Sequence, residues 1–260
     1  PHGNGAIPQA AHLRAYPVVE RHKMIWIWMG TKPPTPDTIP DYSCLDKAPA
    51  EHITDPGYLR MDASLELIVN NLLDLTHTTY LHAGILGNDE TVHAKITVES
   101  DENSVTVSRP IRNVTAPGLF LKMQNWPEKV GDHWQTIRWM PPSVLILTVG
   151  MSPAGKPIEA GTGIYALHLL APETDTSTHY YFSAVRWNVM TDASVNEEIR
   201  QFIGKTRQFA FAEQDGPMIE AQQARMNLLG EAAEHPVLLN IDAGPVQYGR
   251  ILDRLLREDG

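Results

Sequence analysis

Two histidines in the segment 71–82, NLLDLTHTTYLH, have the type and spacing that metal chemistry could use. His77 and His82 are five residues apart, which separates them by about 140° on a regular helix. They can therefore face one metal ion only if the helix ends or unwinds between them. Histidine is a common metal ligand, but chance pairs show the same spacing, so the pair alone also fits two ordinary histidines.

A carboxylate would complete this set, because two His and one Asp or Glu on one face of an iron ion leave positions open for oxygen and substrate. The chain has 31 acidic residues, and sequence spacing does not choose among them. Other catalytic motifs are missing from the sequence: there is no GxGxxG or GK[ST] loop and no Gly-x-Ser-x-Gly elbow. A lone Cys44 in a proline-rich stretch is a poor nucleophile candidate.

The elements that must position these residues follow from the spacing of apolar residues. Segment 61–82 has helical periodicity with Gly84 as its stop, which predicts a helix with both histidines near its end. Downstream, β-patterned segments separated by turns rich in Gly, Pro, Asp and Asn predict an antiparallel sheet: 93–99, 104–108, 133–140, 144–149, 163–170 and 179–186.

The C-terminal third predicts two helices. Helix formers dominate 193–229, and a helix there would cover the apolar face of the sheet. Its expected inward residues are Phe202, Phe209, Ile219 and Met226. A second, amphipathic helix is predicted over 245–258. The fold class is therefore α+β.

The N-terminal region has a different composition. Segments 15–19 and 24–29 are β-rich and separated by a charged turn, which predicts a hairpin. Four prolines between positions 33 and 40 resist both helix and central strand, so we interpret this stretch as a linker to the main domain.

Composition excludes several classes of partner. The net charge is -10 without any block of Lys or Arg, which argues against nucleic acid and against a polybasic membrane patch. The longest apolar runs are far short of the roughly 20 residues that span a bilayer, and no signal peptide opens the chain, so we expect a cytoplasmic protein. The single cysteine excludes an internal disulfide and an all-thiolate metal site within this sequence.

Taken together, the motifs resemble a known family, the Rieske non-haem iron oxygenases. In that family Asn-x2-Asp-x2-His-x4-His supplies two histidine ligands of a mononuclear iron, and segment 71–82 matches this pattern. Segment 211–223, FAEQDGPMIEAQQ, resembles the helix that carries the third ligand in the vanillate O-demethylase and dicamba monooxygenase branch. Segments 15–22 and 25–30 resemble the end of the family's N-terminal domain, so the resemblance covers essentially the whole chain.

The resemblance implies a fold and a set of site residues. The fold would be an antiparallel sheet wrapped around a long C-terminal helix, a helix-grip or START-like catalytic domain. Residues 1–45 would be a remnant of the Rieske domain plus linker, and residues 46–260 the catalytic domain. Mononuclear Fe(II) would be held by three ligands: His77, His82 and Asp215.

The family also suggests roles for three further residues. The residue matching Asp74 bridges to a cluster ligand of the adjacent subunit and provides an electron route. The residue matching Asn71 lies close to the iron, although a structural amide fits the sequence almost as well. The residue matching His179 lines the substrate pocket, against the alternative of a core histidine bonded to backbone.

The implied activity is that of a terminal oxygenase component. It would activate O2 at Fe(II) to hydroxylate or O-demethylate a vanillate-like aromatic acid, with electrons from a separate reductase or ferredoxin that draws on NADH or NADPH. The family assembles as a homotrimer. Its N-terminal domain binds a [2Fe–2S] cluster through Cys-x-His and Cys-x2-His, and no such pair is present, so we expect the cluster-binding part to lie outside this chain.

Two alternatives from other functional classes stay open at this stage. A zinc hydrolase could use His77, His82 and Asp215 around an activated water, although no general base stands at a fixed spacing such as that of His-Glu-x2-His. A non-catalytic carrier could bind a hydrophobic ligand in the cavity that a sheet and a long helix enclose.

Overall fold

The computed structural model describes residues 5, 8–11, 13–230 and 237–259, and the chain divides into two units, Pro1–Lys47 and Ala48–Gly260. In the first unit β1 (Val18–Arg21) pairs antiparallel with β2 (Met24–Ile27). The two residues between them have positive φ, which suits the twist of a tight hairpin. The predicted hairpin is confirmed, and the assignment of this unit to a Rieske remnant stays a prediction.

The second unit is built on a seven-stranded antiparallel sheet with the strand order β3-β9-β8-β7-β6-β5-β4. Consecutive strands from β4 to β9 are neighbours, and only β3 joins by a long connection, at the edge beside β9. The strands are β3 (Gly57–Met61), β4 (Thr97–Ser100), β5 (Val105–Thr115), β6 (Val130–Met140), β7 (Val144–Pro153), β8 (Thr162–Thr174) and β9 (Ser177–Trp187).

A strand is present in each of the six predicted sheet segments, but the first, 93–99, is wrong at its start because β4 begins only at Thr97. Each of the other five strands extends beyond at least one of its predicted ends. The prediction of helix from residue 61 is wrong at its start, because Met61 ends strand β3 and pairs with Thr178. The helix begins only after Ser64, whose hydroxyl accepts a hydrogen bond from the backbone N–H of Leu67 at 3.3 Å. Ser64 is therefore the N-cap that separates strand from helix.

The helices lie between and after the strands, and a π-helical segment, Ala210–Asp215, connects two of them without a break. They are α1 (Cys44–Lys47), α2 (Leu65–Leu73), α3 (His77–Tyr80), α4 (Gly118–Met123), α5 (Asn196–Phe209), α6 (Gly216–Leu229) and α7 (Ala243–Asp259). Among the described residues, none of the helices is long and apolar enough to cross a membrane.

One face of the sheet is covered by helices and forms the core. A row of cross-strand neighbours runs over that face: Val107, Ile137, Leu147, Ala166 and Ala184. Helices α2, α6 and α7 cover the end of this face near Val107 and Ile137, and α4 and α5 cover the end near Ala166 and Ala184. The predicted α+β arrangement, with an antiparallel sheet wrapped around a long C-terminal helix, is confirmed.

The long helix buries a stripe that differs from the predicted one. Phe209 was expected inward but is 51% exposed, Phe202 and Met226 are only partly buried, and Ile219 is buried as predicted. The buried stripe recurs every four residues: Ile199, Ile203, Arg207, Phe211, Asp215, Ile219 and Gln223. Three of its members are polar or charged, so a search for apolar periodicity could not find it.

Candidate active site

The first half of the site depends on a break in the helix before His77. Helix α2 ends at Leu73, and Asp74 follows in an extended conformation. The Asp74 carboxylate accepts hydrogen bonds from the backbone N–H of Thr76 at 2.8 Å and from its hydroxyl at 2.6 Å. The Asp74 carbonyl accepts from Nδ1 of His77. The break therefore fixes both the position and the tautomer of His77, which leaves its Nε2 lone pair available.

Arg109, from strand β5, holds the segment that follows. Its side chain is buried, with 1% of its surface exposed. One terminal nitrogen donates to the Leu75 carbonyl at 2.8 Å, and the other donates to the Thr79 hydroxyl at 3.0 Å and to the Thr91 carbonyl. One guanidinium thereby ties both ends of α3 and the following turn to the sheet.

A tight turn follows His82. The Gly84 N–H donates to the Gly87 carbonyl at 2.8 Å, and Gly84 has a φ of 79°. A Cβ at Gly87 would lie 2.8 Å from the Thr78 carbonyl oxygen, closer than such atoms approach. Gly87 is therefore required for the turn to lie directly against α3, next to His82.

The second half of the site comes from the π-helical segment. Its wider turn places Asp215 and Gln214 toward the two histidines, in keeping with the frequent use of such segments at functional sites. The Gln214 side-chain oxygen accepts a hydrogen bond from Nδ1 of His82 at 2.9 Å. As with His77, the bond to Nδ1 leaves Nε2 of His82 as the free ring nitrogen.

His77, His82 and Asp215 meet in space. The Nε2 atom of His82 lies 3.2 Å from one carboxylate oxygen of Asp215, and Nε2 of His77 lies 3.8 Å from the other. One ligand atom from each residue falls within 4.8 Å of the others. The side chains are 13%, 2% and 4% exposed. The three residues form a compact and nearly dry cluster.

This donor set fits a metal ion. Oδ1 of Asp215 is buried and accepts no hydrogen bond from the described residues, which is costly for a carboxylate oxygen unless a cation completes it. Both imidazoles present Nε2 toward that carboxylate, while other groups hold their Nδ1 atoms. Two His and one carboxylate facing a common point is the set that non-haem iron sites use, with further coordination positions left open.

The charges of the cluster are matched to metal binding. Burial lowers the pKa of His77 by more than the nearby Asp215 carboxylate raises it, so this imidazole is neutral at pH 7. Burial also lowers the pKa of His82, but the hydrogen bond and charge of Asp215 outweigh burial, and the net pKa lies above its ordinary value. A metal ion binds the neutral imidazole, so it would compete with protons for Nε2 of His82 and would itself supply the positive charge next to Asp215.

Residues 61–258 match the model of the vanillate O-demethylase oxygenase C-terminal domain. The chain belongs to this family. Among its relatives is the iron-sulfur subunit TsaM1 of the toluene-4-sulfonate monooxygenase system from Comamonas testosteroni, which is 33% identical over 99% of this chain and 74% of that protein. The vanillate O-demethylase oxygenase subunit of Pseudomonas sp. (strain HR199) is also 33% identical, over 94% of this chain and 69% of that protein.

The solved structures agree with the sequence comparison. Dicamba monooxygenase bound to 3,6-dichlorosalicylic acid superposes with a TM-score of 0.88 at 29% identity, covering 99% of this chain and 74% of that one. The resemblance to Rieske oxygenases is confirmed, and this chain is an oxygenase component of a monooxygenase of that type. The comparisons do not favour the zinc hydrolase or the ligand carrier.

The structure places the other predicted residues of this oxygenase as follows. Asp74 lies next to the site formed by His77, His82 and Asp215. Its carbonyl accepts a hydrogen bond from His77, while its carboxylate faces Thr76. Asn71 lies in the last turn of α2, where its carbonyl accepts from the N–H of Asp74 at 3.2 Å. The electron-transfer role of Asp74 and the role of Asn71 near the iron stay predictions.

His179 is not brought to this cluster. Its neighbours Thr178 and Tyr180 are buried, whereas the side chain of His179 lies on the opposite face of the sheet, where Nδ1 is 2.9 Å from the Tyr58 hydroxyl. A predicted contact between His179 and substrate therefore has no support in this geometry. The histidine that alternation directs to the covered face is His168, which pairs across the strands with Phe182.

The protein interior also contains a group of aromatic and charged residues that the sequence analysis did not identify. His168 is 2% exposed, and its Nδ1 lies 2.5 Å from the Tyr180 hydroxyl. Phe211 contacts this pair and Phe182, with ring centroids 4.8 to 5.7 Å apart. Arg207 completes the group from the buried stripe of the long helix. The only available signal was the four-residue spacing Arg207, Phe211, Asp215.

Proposed function

We propose that this chain is the catalytic part of an oxygenase component that hydroxylates a methyl group, or removes the methyl of a methoxy group, on an aromatic acid. The chemistry would take place at mononuclear Fe(II) held by His77, His82 and Asp215. The relatives named for vanillate O-demethylation and toluene-4-sulfonate oxidation support this choice of substrate class. A similar dicamba monooxygenase has been solved with non-haem iron and dicamba, which supports the choice of metal.

One observation carries the proposal: both histidines have their Nδ1 atoms held and their Nε2 atoms directed at a buried carboxylate. An iron ion in such a site supplies the redox chemistry that activates O2, and the protein supplies ligands, orientation and exclusion of water. Asp74 and Gln214 hold the imidazoles, which reduces the reorganisation needed when the metal binds.

The overall reaction balances with two electrons from outside the chain. A methoxy-arene, O2, two electrons and two protons give a hydroxymethyl ether and water, and the ether collapses to a phenol and formaldehyde. A separate reductase that draws on NADH or NADPH would supply the electrons to the family's [2Fe–2S] cluster, either directly or through a ferredoxin. In a homotrimer, the Asp74 carboxylate would bridge the neighbouring subunit's cluster to His77, whose ring already donates to the Asp74 carbonyl.

Elemental analysis tests the metal assignment. We expect about one iron per chain in the wild type, and more than a tenfold loss in both the His77→Ala and the Asp215→Asn variants. His93→Ala, which changes an exposed histidine, is the matched control and should retain its iron. Zinc in place of iron in protein prepared with both metals would contradict the proposal, as would full iron occupancy in the Asp215 variant.

Product analysis tests the reaction. Hydrogen peroxide carries both the oxygen atom and the two oxidising equivalents, so it can replace O2 and the reductase in the assay. With vanillate, the iron-loaded chain should release formaldehyde and the demethylated catechol in equal amounts. Formation of neither product by iron-loaded protein that binds vanillate would overturn the proposed activity.

A further inference from the structure

Arg207 is a buried cation with few partners. Its side chain is 8% exposed, and one terminal nitrogen donates a long hydrogen bond to the Leu167 carbonyl at 3.3 Å. The other terminal nitrogen, Nη1, is buried without a hydrogen-bond partner in the part of the chain that the structure describes. Within that part, no carboxylate forms an ion pair with Arg207 either.

A guanidinium in this position would not be retained for stability. Burying a charge without an opposite charge is strongly unfavourable, and an arginine cannot relieve the cost by losing its proton at neutral pH. Burial does lower the pKa of Arg207, but only to about 10, so the group remains charged. The position therefore keeps a positive charge that the described protein does not neutralise.

Aromatic rings surround this charge. The Arg207 guanidinium carbon lies 5.3 Å from the ring centroids of both Phe182 and Phe211. The rings of His168 and Tyr180 contact Phe211, with centroids 5.7 and 5.2 Å away. Burial, followed by the nearby charge of Arg207, lowers the pKa of His168 well below its ordinary value, so that imidazole is neutral. The guanidinium thus provides the positive charge in an otherwise aromatic and neutral environment.

The charge also stands at a fixed distance from the metal ligands. Arg207, Phe211 and Asp215 follow one another at four-residue intervals on the buried side of one continuous helix. Eight residues correspond to about 12 Å along the axis. The cation and the metal ligand therefore lie on the same buried side of one helix, one at each end of this interval.

We propose that Arg207 binds the carboxylate or sulfonate of the aromatic substrate and selects anionic over neutral aromatics. The fork of N–H donors matches two oxygens of one oxyanion, and the adjacent phenylalanine rings would contact the ring that bears it. This inference rests on the proposed function for the orientation of the substrate, with the oxidised carbon toward His77, His82 and Asp215. It makes Arg207 a specificity-determining residue.

Calorimetry on the iron-loaded chain without O2 tests the proposal. The probes are vanillate, its neutral amide of nearly the same shape, and toluene-4-sulfonate. Wild type should bind the two anions at least tenfold more tightly than the amide. Arg207→Gln should weaken both anions by tenfold or more and change the affinity for the amide by less than about threefold. Arg207→Lys keeps the charge but loses the forked pair of N–H donors, so its affinity for the two anions should lie between those of the wild type and Arg207→Gln.

Arg186→Gln is the matched control. Arg186 is another buried arginine, but its two terminal nitrogens donate to Asn196 at 3.0 Å and to Thr191 at 2.7 Å. Because both terminal nitrogens of Arg186 already donate to side chains, its replacement should leave the preference for anions unchanged. Equal losses for anion and amide in the Arg207 variants would indicate a structural role and overturn the proposal.

The outcomes separate this inference from the proposed function. If iron binds and vanillate is demethylated but the anion preference survives in Arg207→Gln, the proposed function stands and the inference fails. If the preference for anions depends on Arg207 but no demethylation occurs, the inference stands and the proposed activity fails. Should Arg207→Gln not fold, equal wild-type affinities for vanillate and its amide would still overturn the inference.

Discussion

Arg109 and Arg207 are both buried against the same covered face of the sheet, with 1% and 8% of their surfaces exposed, yet their guanidinium groups have different surroundings. Arg109 donates to two carbonyls and two threonine hydroxyls. Arg207 donates to one carbonyl and is surrounded by aromatic rings. A buried charge that the protein satisfies is part of the scaffold, whereas one left unsatisfied retains its capacity to bind a ligand.

The largest effect is expected at Arg109. Its replacement by Gln removes several charge-assisted hydrogen bonds to the buried segment that carries the metal ligands, which should lower the free energy of unfolding by about 4 kcal/mol. Urea unfolding followed by circular dichroism measures the change. Arg112→Gln is the control, because that side chain is 73% exposed in its pair with Asp132, and it should cost less than about 1 kcal/mol. A similar small cost at Arg109 would remove the distinction between the two buried arginines.

An intermediate effect is expected at Gln214, on the same helix as Arg207. Replacement by Leu removes the acceptor for Nδ1 of His82 and should weaken metal binding roughly 10- to 100-fold. Chelator competition measures the dissociation constant. Gln222→Leu, at an exposed position of α6, should leave that constant unchanged. Unaltered affinity in the Gln214 variant would mean that the tautomer of His82 does not depend on this bond.

The smallest effect on stability is expected at Arg207. A Met side chain can keep the contact with the aromatic rings, and it removes an uncompensated charge. Arg207→Met should therefore leave the free energy of unfolding unchanged or raise it by about 1 kcal/mol. The same urea experiment without added ligand provides the value. A loss above about 2 kcal/mol would assign Arg207 to the scaffold with Arg109, and the proposed anion site would lose its energetic argument.

The sequence and the structure agree where apolar periodicity decides the outcome. Local patterns predict the sheet segments, the N-terminal hairpin and the C-terminal helix. The requirement for a helix end between His77 and His82 was also correct, since α3 ends at Tyr80. These features depend on short-range spacing, which a single sequence contains.

The rest depends on tertiary contacts that spacing does not encode. Asp215 reaches His82 only because the sheet brings distant segments together, so composition alone could not choose it among the acidic residues, and only the resemblance identified it. Alternation along β9 gives two faces but not which face the helices cover, so it could not show that His179, suggested by the resemblance, lies on the uncovered face. The sequence analysis did not identify Arg207 as buried, because a charged residue interrupts the apolar pattern that predicts the inward face of a helix.

The π-helical segment sets the angular position of Asp215 around the axis of the long helix. In an α-helix, residues four apart advance by about 40° around the axis, so a four-residue stripe would drift away from the sheet. The wider turn over Ala210–Asp215 turns the following residues back. Eight residues of ordinary α-helix would place Asp215 about 80° away from Arg207 around the axis, whereas the wider turn takes up one extra residue and returns Asp215 to the same side. One extra residue thus keeps the Asp215 carboxylate and the Arg207 guanidinium on the same side of one continuous helix.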